Sequence, residues 1–457
     1  MQVNALQQYI DLYRDNKALI EDNSASLLNS FREDAFSRLS ATHLPAKGSE
    51  DYELSDLDGM LAPDYGLNLS RLPLGFDPAL SFRCDVPNLS TSLFMLLNDS
   101  WAETEISRRA LPDGVIVCPL RKAAEEYPDL VAKYYGRAAD GDNPLVALNT
   151  MLVQDGFFMY VPKGMKLEKP VQLVNIFAGG IPMMAVRRML IVIDDDAEAR
   201  LLVCDHTQNE EQDFLSLQTI EIFAGERASF DIYDLEESTR RTSRLSTLYL
   251  RQAERSNVLV DGITLFNGTT RNEYHCTFDG RHCELRLLGM AIEDEQRHID
   301  NYTMIRHNTP DCHSNELFKY VVDDEAKGAF AGRIYVADGA VKTEAYQSNR
   351  NLVGSDKARM MSKPQLEIYN DDVKCSHGSA TGQLDPMQLF YMRTRGLSEE
   401  TARLLLKQAF MADVIEGVRM PMVRDRLRLL VERRLSGEKK LCQDCNEECP
   451  AHDTITL

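Results

Sequence analysis

The most constraining feature of the sequence is a strand-and-turn unit that recurs at nearly constant spacing. A polar turn, a small residue and a strand follow one another at DDDAEARLLV, GERASFDI, AERSNVLV and GRHCELRL. The small residues are Ala199, Ala228, Ser256 and Cys283, so the steps between them are 29, 28 and 27 residues. Such repetition is typical of a stacked β solenoid, in which each coil buries its apolar face on its neighbours. A large β-sandwich, whose hairpins also recur, is the alternative that this spacing leaves open.

Later turns come closer together. Gly328, Thr343, Ala358 and Cys375 follow one another at steps of 15, 15 and 17 residues. From about Pro112 the chain consists of short apolar or alternating runs separated by Gly, Pro and Asp, which is typical of strands. Helical spacing is nearly absent over this region. We therefore predict a mainly β protein with a β core at residues 111–388.

The chain that precedes this core has helical patterns. Leu6, Tyr9, Ile10 and Tyr13 form the apolar stripe of an amphipathic helix. A second helix is predicted at about 25–39, a loop follows it, and a helical or mixed segment is predicted around SLFMLLNDSWAETEI. Residues 1–110 are accordingly predicted to form an N-terminal helical or mixed domain.

Helical patterns return after the core. Ser398 is a suitable N-cap, and two glutamates follow it in the first turn, where the helix dipole favours negative charge. Pro421 separates this helix from a second one. We predict a C-terminal helical domain at 389–436 and a Cys-rich tail at 437–457. The apolar faces of the two helices are Met411, Val414, Ile415 and Val418, then Val423, Leu427, Leu430 and Val431.

Charge and composition narrow the set of partners. The 457 residues carry a net charge of -20, which repels phosphate backbones and anionic lipid surfaces. The first residues lack the basic and apolar regions of a signal peptide, and no uncharged apolar run is long enough to cross a bilayer. We expect a cytoplasmic protein with reduced cysteines that binds neither nucleic acid nor membranes.

The stretch DDVKCSHGSATGQLD contains the main candidate for chemistry. Cys375 and His377 are two residues apart, so in a strand both face the same side. Thiolate and imidazole are donors suited to iron, zinc or an iron–sulfur cluster, but two donors cannot complete a tetrahedral site. A Cys–His nucleophile pair and a structural Cys beside a turn remain open alternatives.

Two other groups of residues could bind metal. Cys442, Cys445, Cys449 and His452 in the tail are spaced closely enough to surround one zinc or iron ion, or they are exposed thiols of an unstructured tail. His307, Cys312 and His313 in HNTPDCHSNE are a weaker candidate, since side chains at solenoid turns more often bond to turn backbone.

Several stretches resemble a known family. FAGRIYVADGAVKTEAYQSNRNLV, KPQLEIYNDDVKCSHGSATGQLD and LFYMRTRGLSEETARLLLKQAF closely resemble the SufD branch of the SufB/SufD family, which belongs to the SUF system of iron–sulfur cluster assembly. The similarity extends over about residues 110–420. KCSHG is the SufD-like form, whereas a SufB sequence would be expected to read more like Cys-Glu-His-Glu here.

The resemblance implies a fold, partners and a role for the site. The fold is a right-handed parallel β-helix flanked by helical domains, paired with SufB through the β-helix ends. The ABC-type ATPase SufC would dock on the C-terminal helices, where Phe410 and Met411 are candidate contacts. Cys375 and His377 match residues at the SufB–SufD interface where the nascent cluster is built. A transient cluster is thus implied rather than a permanent cofactor, and whether the isolated chain forms a homodimer is left open.

Three classes of function therefore compete. The first is a scaffold subunit without catalysis of its own, since the chain contains no GxxxxGK[ST] nucleotide-binding run. The second is a stand-alone metal-binding protein that uses Cys375, His377 and the tail. The third is a polysaccharide-processing β-helix enzyme, which usually requires an export signal.

Overall fold

The computed structural model of the protein describes residues 5–72, 91–102 and 111–437. The described strands form two sheets. They are β1 Ser92–Leu97, β2 Ser100–Ala102, β3 Ile116–Pro119, β4 Gly156–Val161, β5 Val171–Phe177, β6 Met183–Ile193, β7 Glu198–Thr207, β8 Phe214–Ala224, β9 Ser229–Glu237, β10 Thr242–Gln252, β11 Asn257–Phe266, β12 Thr269–Phe278, β13 Glu284–Glu293, β14 His298–His307, β15 His313–Val322, β16 Lys327–Val336, β17 Thr343–Val353, β18 Arg359–Ile368 and β19 Val373–Gly382.

Successive strands from β4 onward alternate between the two sheets. From β6 to β17, each strand pairs in parallel with the strands two positions before and after it in the chain, so one strand from each sheet makes a coil. Strands β4 to β19 thus build eight coils. The predicted β solenoid is confirmed, and the β-sandwich is wrong because hairpins would pair the strands antiparallel. The steps of 15 to 17 residues between the later turns each span half a coil, because each leads from a strand of one sheet to the next strand in the other sheet.

The small residues of the repeat mark one corner of the solenoid. Ala228, Ser256 and Cys283 are buried and immediately precede β9, β11 and β13. The residue before each has a positive φ, which turns the chain sharply into the next sheet. Before β7 the equivalent residue is Ala197 and not Ala199, because Glu198, the first residue of β7, is in register with Ser229.

The described helices lie at the two ends of the chain and beside the first coils. They are α1 Ala5–Asp22, α2 Ser26–Asn29, α3 Arg32–Ala41, α4 Leu57–Leu61, α5 Leu120–Glu126, α6 Pro128–Tyr134, α7 Pro144–Leu152, α8 Pro386–Thr394, α9 Glu399–Gly417 and α10 Pro421–Leu435. None of them is both long and apolar enough to cross a membrane.

The N-terminal part departs from the sequence prediction in three places. The predicted helix at 25–39 is two helices, α2 and α3. The segment predicted as helical or mixed around Trp101 contains β1 and β2, and β1 extends the solenoid by pairing with β5. Helices α5 to α7 lie where helical spacing was predicted to be nearly absent. Their short lengths leave too few turns for a clear periodicity. The stripe of α1 is buried as predicted.

Helices α9 and α10 pack on the outer face of the odd-numbered strands. Ser398 caps α9 as predicted, since its Oγ accepts the backbone N–H of Thr401 at 3.1 Å. The predicted apolar faces of α9 and α10 are buried against strands such as β11 and β13. One side chain of β15, Lys319, reaches α9 and donates to the Phe410 carbonyl at 2.7 Å.

Candidate functional site

The last coil of the solenoid consists of β18 and β19. In the described part of the chain, β19 pairs in a ladder only with β17, and β18 only with β16. Each strand therefore has one backbone edge without a strand partner. Such an edge presents a row of N–H and C=O groups that can pair with another chain.

Cys375 and His377 lie on the inward face of this last coil. Cys375 is in register with Ala345, which is fully buried in the solenoid core, and Cys375 itself packs against that core. His377 is in register with Gln347 and, being two residues on, shares the inward face. The prediction that both side chains face one side is confirmed. No further coil covers them among the described residues, so Cys375 is half-buried and His377 is exposed.

The surroundings of Cys375 keep its sulfur protonated. Partial burial raises the pKa of the Cys375 thiol, because a thiolate loses solvation next to the apolar core. A thiolate is the form that attacks and that binds metal. The geometry therefore presents a soft donor that requires deprotonation or a metal ion before it acts.

Behind the pair lies a buried polar chain that sequence reasoning did not identify. Gln347 donates its Nε2 to Glu316 at 2.7 Å, and Thr303 donates its hydroxyl to the same carboxylate at 2.6 Å. Burial raises the pKa of Glu316 to about 7. The sequence signal for this polar chain is a glutamine one coil before His377. It can be recognised only when the length of each coil is known.

Several apolar side chains of the last two coils stay partly exposed at the open end of the solenoid. Met360, Leu366 and Val373 pack on the core but stay partly exposed. Ile368 is 38% exposed and Tyr369 is 60% exposed. Exposed apolar area of this kind commonly marks an interaction surface.

The two residues predicted to contact an ATPase do not form an open surface. Met411 is fully buried between α9 and the solenoid, so the prediction for Met411 is wrong. Phe410 is partly buried, and the ammonium group of Lys319 lies 4.8 Å from its ring centroid. Both residues lie on the apolar face that the sequence revealed, but that face packs inward against the strands.

Helix α8 instead carries the most exposed apolar residues of the described C-terminal region. None of its residues is buried. Met387, Phe390 and Tyr391 are 71%, 63% and 58% exposed. Three large apolar side chains on one short helix form the surface that we call the α8 patch.

The other candidate metal ligands do not form a site in the described residues. His307 is buried and its Nε2 lies 2.9 Å from the hydroxyl of Ser314, while the Cys312 thiol donates to the carbonyl of Gly280 at 3.3 Å. Across residues 5–72, 91–102 and 111–437, no three His, Cys, Asp or Glu side chains group closely enough to hold a metal ion. The predicted tail ligands lie outside the described residues and stay a prediction: Cys442, Cys445, Cys449 and His452.

Comparison with known proteins identifies the family. Residues 176–410 match the SufBD core domain of the SUF system for FeS cluster assembly, and residues 3–173 match the SufBD protein N-terminal region. The core match includes the whole last coil with Cys375 and His377.

The chain belongs to the SufBD family. A SufBD family protein of iron–sulfur cluster assembly from Synechocystis is 26% identical over 92% of this chain and 93% of its own length. Two relatives are named iron–sulfur cluster assembly protein SufD. The one from Bacillus subtilis is 28% identical over 77% of this chain and 81% of its length. The one from Escherichia coli is 29% identical over 64% and 69%.

Proposed function

We propose that this SufBD-family chain is a scaffold subunit without catalysis of its own, which pairs with a SufB-like sister subunit and docks a SufC-like ATPase. One observation carries the proposal: Cys375 and His377 share the inward face of a terminal coil whose two strands each have one edge that pairs with no other described strand. A thiol and an imidazole at the open end of a stacked core are placed where a second β-helix could cover them.

The open end has the two properties that such pairing requires. Its strand edges offer backbone groups for main-chain pairing with another sheet. Its apolar side chains, Ile368 and Tyr369 among them, would leave water when a partner docks. A second copy of this chain has the same edges, so a homodimer is the competing occupant of this end.

The interface between this chain and its sister subunit, which we call the seam, would supply the remaining ligands. Iron in a cluster is held by about four donors, and the described residues at this end of the chain offer a sulfur and a nitrogen. The sister subunit would provide the others, and the nascent cluster would be a cargo held during assembly. The protonated thiol of Cys375 is consistent with a site that is inactive until iron arrives.

The α8 patch is the surface that we assign to the ATPase. Met387, Phe390 and Tyr391 are exposed on a helix that is joined directly to the last coil by residues 383–385. Movement of α8 and α9 would act on the strands through Lys319, which donates to Phe410 and Asp413. Because β15, β17 and β19 are neighbours in one sheet, a shift of α9 could open the seam after ATP-driven dimerisation of the ATPase.

The site is tested with the purified three-protein complex and iron, sulfide and ATP. Cys375→Ala and His377→Ala should each lower the yield of cluster at least tenfold while the complex stays intact. Cys118→Ala is the control for the thiol, since Cys118 is also half-buried and lies on β3, at the other end of the solenoid. His282→Asn is the control for the imidazole, since His282 is exposed like His377 and lies three coils before the last one. Cluster yields equal to those of the controls would refute the proposal.

The docking surfaces are tested separately by co-purification. Ile368→Glu should remove the sister subunit but not the ATPase, whereas Phe390→Glu should remove the ATPase but not the sister subunit. Tyr127→Glu is the control, because Tyr127 is an exposed apolar residue between α5 and α6, beside the first coil of the solenoid. Retention of both partners by either test variant contradicts the assigned surface.

A further inference from the structure

The amide of Gln347 is held in one orientation below the site. Gln347 is 3% exposed, and its Nε2 donates to Glu316 at 2.7 Å. Glu316 is fixed in turn by the hydroxyl of Thr303 at 2.6 Å. An amide whose nitrogen faces a carboxylate must direct its oxygen elsewhere.

The oxygen of this amide is buried and lacks a hydrogen-bond partner among the described residues. Gln347 Oε1 is one of the buried side-chain atoms of which this is true. A buried acceptor without a partner is costly, so a donor group that rotates within reach of it gains free energy. The side chain one coil above Gln347 on the same inward face is His377.

The backbone makes room for this arrangement. Gly332 lies on β16 in the opposite sheet, and a Cβ at that position would collide with the Gln347 amide and the Phe330 ring. Glycine therefore leaves space that the Gln347 side chain uses. The amide therefore keeps its orientation because Glu316 binds its nitrogen and because Gly332 leaves the space that the amide occupies.

From this arrangement we infer that Gln347 is a positioning residue for His377, its Oε1 accepting a ring N–H of the imidazole while Glu316 and Thr303 hold the amide. The inference rests on the proposed function of His377 as a donor to iron. A histidine that binds metal commonly donates its other ring N–H to an oxygen acceptor, which fixes the tautomer and the ring plane. Gln347 supplies that acceptor from within the same chain, whereas the remaining ligands come from the partner.

The first test compares two buried glutamines in the full-length chain. Gln347→Met keeps the side-chain length but removes the contact with Glu316 and the acceptor oxygen. Gln218→Met is the matched control, because Gln218 is also fully buried, also donates to one neighbour, Ser246 at 2.9 Å, and also has an Oε1 without a partner among the described residues. Both variants should lose similar stability.

Nitrogen-15 spectra of the His377 ring at pH 8 provide a readout that does not require cluster assembly. Gln347→Met should shift the ring nitrogens and change the tautomer ratio, whereas Gln218→Met should leave them as in the unmodified chain. Cluster assembly with the partners should fall about 10- to 100-fold in Gln347→Met, the range found when an outer-shell partner of a metal ligand is removed. Identical His377 spectra in the two variants would overturn the inference.

A double variant that exchanges the side chains of Gln347 and Glu316 keeps the test decisive if Gln347→Met does not fold. Combining Gln347→Glu with Glu316→Gln retains one amide–carboxylate contact and still places an oxygen beneath His377. This double variant should restore the His377 spectrum and most of the assembly rate, and failure of both would overturn the inference. If instead His377→Ala assembles clusters normally, the proposed function fails, while the spectra still decide whether Gln347 contacts His377.

Discussion

Arg188 Nη2 and Glu221 Oε1 form an ion pair at 2.6 Å. Both side chains project from the even-numbered strands away from the solenoid core, and both are fully buried. Glu221 also accepts the backbone N–H groups of Gly136 and Ala138, at 2.9 and 3.0 Å. One carboxylate thus ties β6, β8 and the loop after α6 together. The pair anchors the N-terminal region to the solenoid.

Removing one member of this pair should destabilise the chain strongly. Glu221→Gln leaves Arg188 buried without a counter-charge, and we expect the free energy of unfolding to fall by about 3–5 kcal/mol. Arg241→Met, which breaks an exposed pair with Asp213, should cost no more than about 1 kcal/mol. Urea unfolding followed by circular dichroism measures both. Equal effects of the two substitutions would contradict the anchoring role.

Lys319 should control how firmly α9 is held on the solenoid. Its ammonium group is almost completely buried and contacts the Phe410 carbonyl and Asp413. Lys319→Met leaves that carbonyl without its donor, so local opening of α9 should become easier by about 1–3 kcal/mol. Hydrogen exchange of α9 amides measures this opening. Lys357→Met, which breaks only an exposed pair with Glu325, should leave the exchange of α9 unchanged.

Asp261 should make stability fall as the pH rises. Its carboxyl is fully buried on β11, neither oxygen has a hydrogen-bond partner among the described residues, and burial raises its pKa to about 8. The folded chain therefore retains a proton that the unfolded chain releases near pH 4, so stability declines between about pH 4 and pH 8. The slope is at most about 1.4 kcal/mol per pH unit from this one group.

Asp261→Asn removes this titration while keeping the shape of the side chain. The variant should be more stable than the unmodified chain at pH 8 and should show a flatter stability profile between pH 6 and pH 8. Denaturant unfolding at three pH values measures both quantities. A profile that stays parallel to that of the unmodified chain would show that Asp261 does not bind the proton.

The Cys375 thiol should react slowly near neutral pH. Since burial raises its pKa, the thiolate fraction at pH 7 is smaller than that of free cysteine. Iodoacetamide labelling, followed by peptide mass spectrometry, should accelerate steadily beyond pH 9, and Cys375→Ser identifies the labelled peptide. A rate that levels off below pH 8 would contradict the protonated state described above.

Local patterns in the sequence were enough to predict the coils and the face of the site. Ala228, Ser256 and Cys283 occupy equivalent corners because each turn is encoded by residues adjacent in the chain. Cys375 and His377 share a face because the period of a strand is two. The role of the pair in cluster assembly came from resemblance and stays a proposal.

Contacts between coils could not be predicted in the same way. Gln347 and Glu316 are 31 residues apart, and their pairing depends on the exact length of every turn between them. Met411 looked available because an amphipathic face shows that a residue is apolar but not whether that face meets a partner or the chain itself.

The sequence by itself therefore determined the repeating strands, their turns and the common face of Cys375 and His377, since these follow from interactions between near neighbours. Only the tertiary structure decided that this face closes the last coil, that Gln347 lies beneath His377, and that α8 rather than the buried face of α9 is exposed. These outcomes depend on stacking register and on which surfaces the chain covers, and both are set by contacts between residues far apart in sequence.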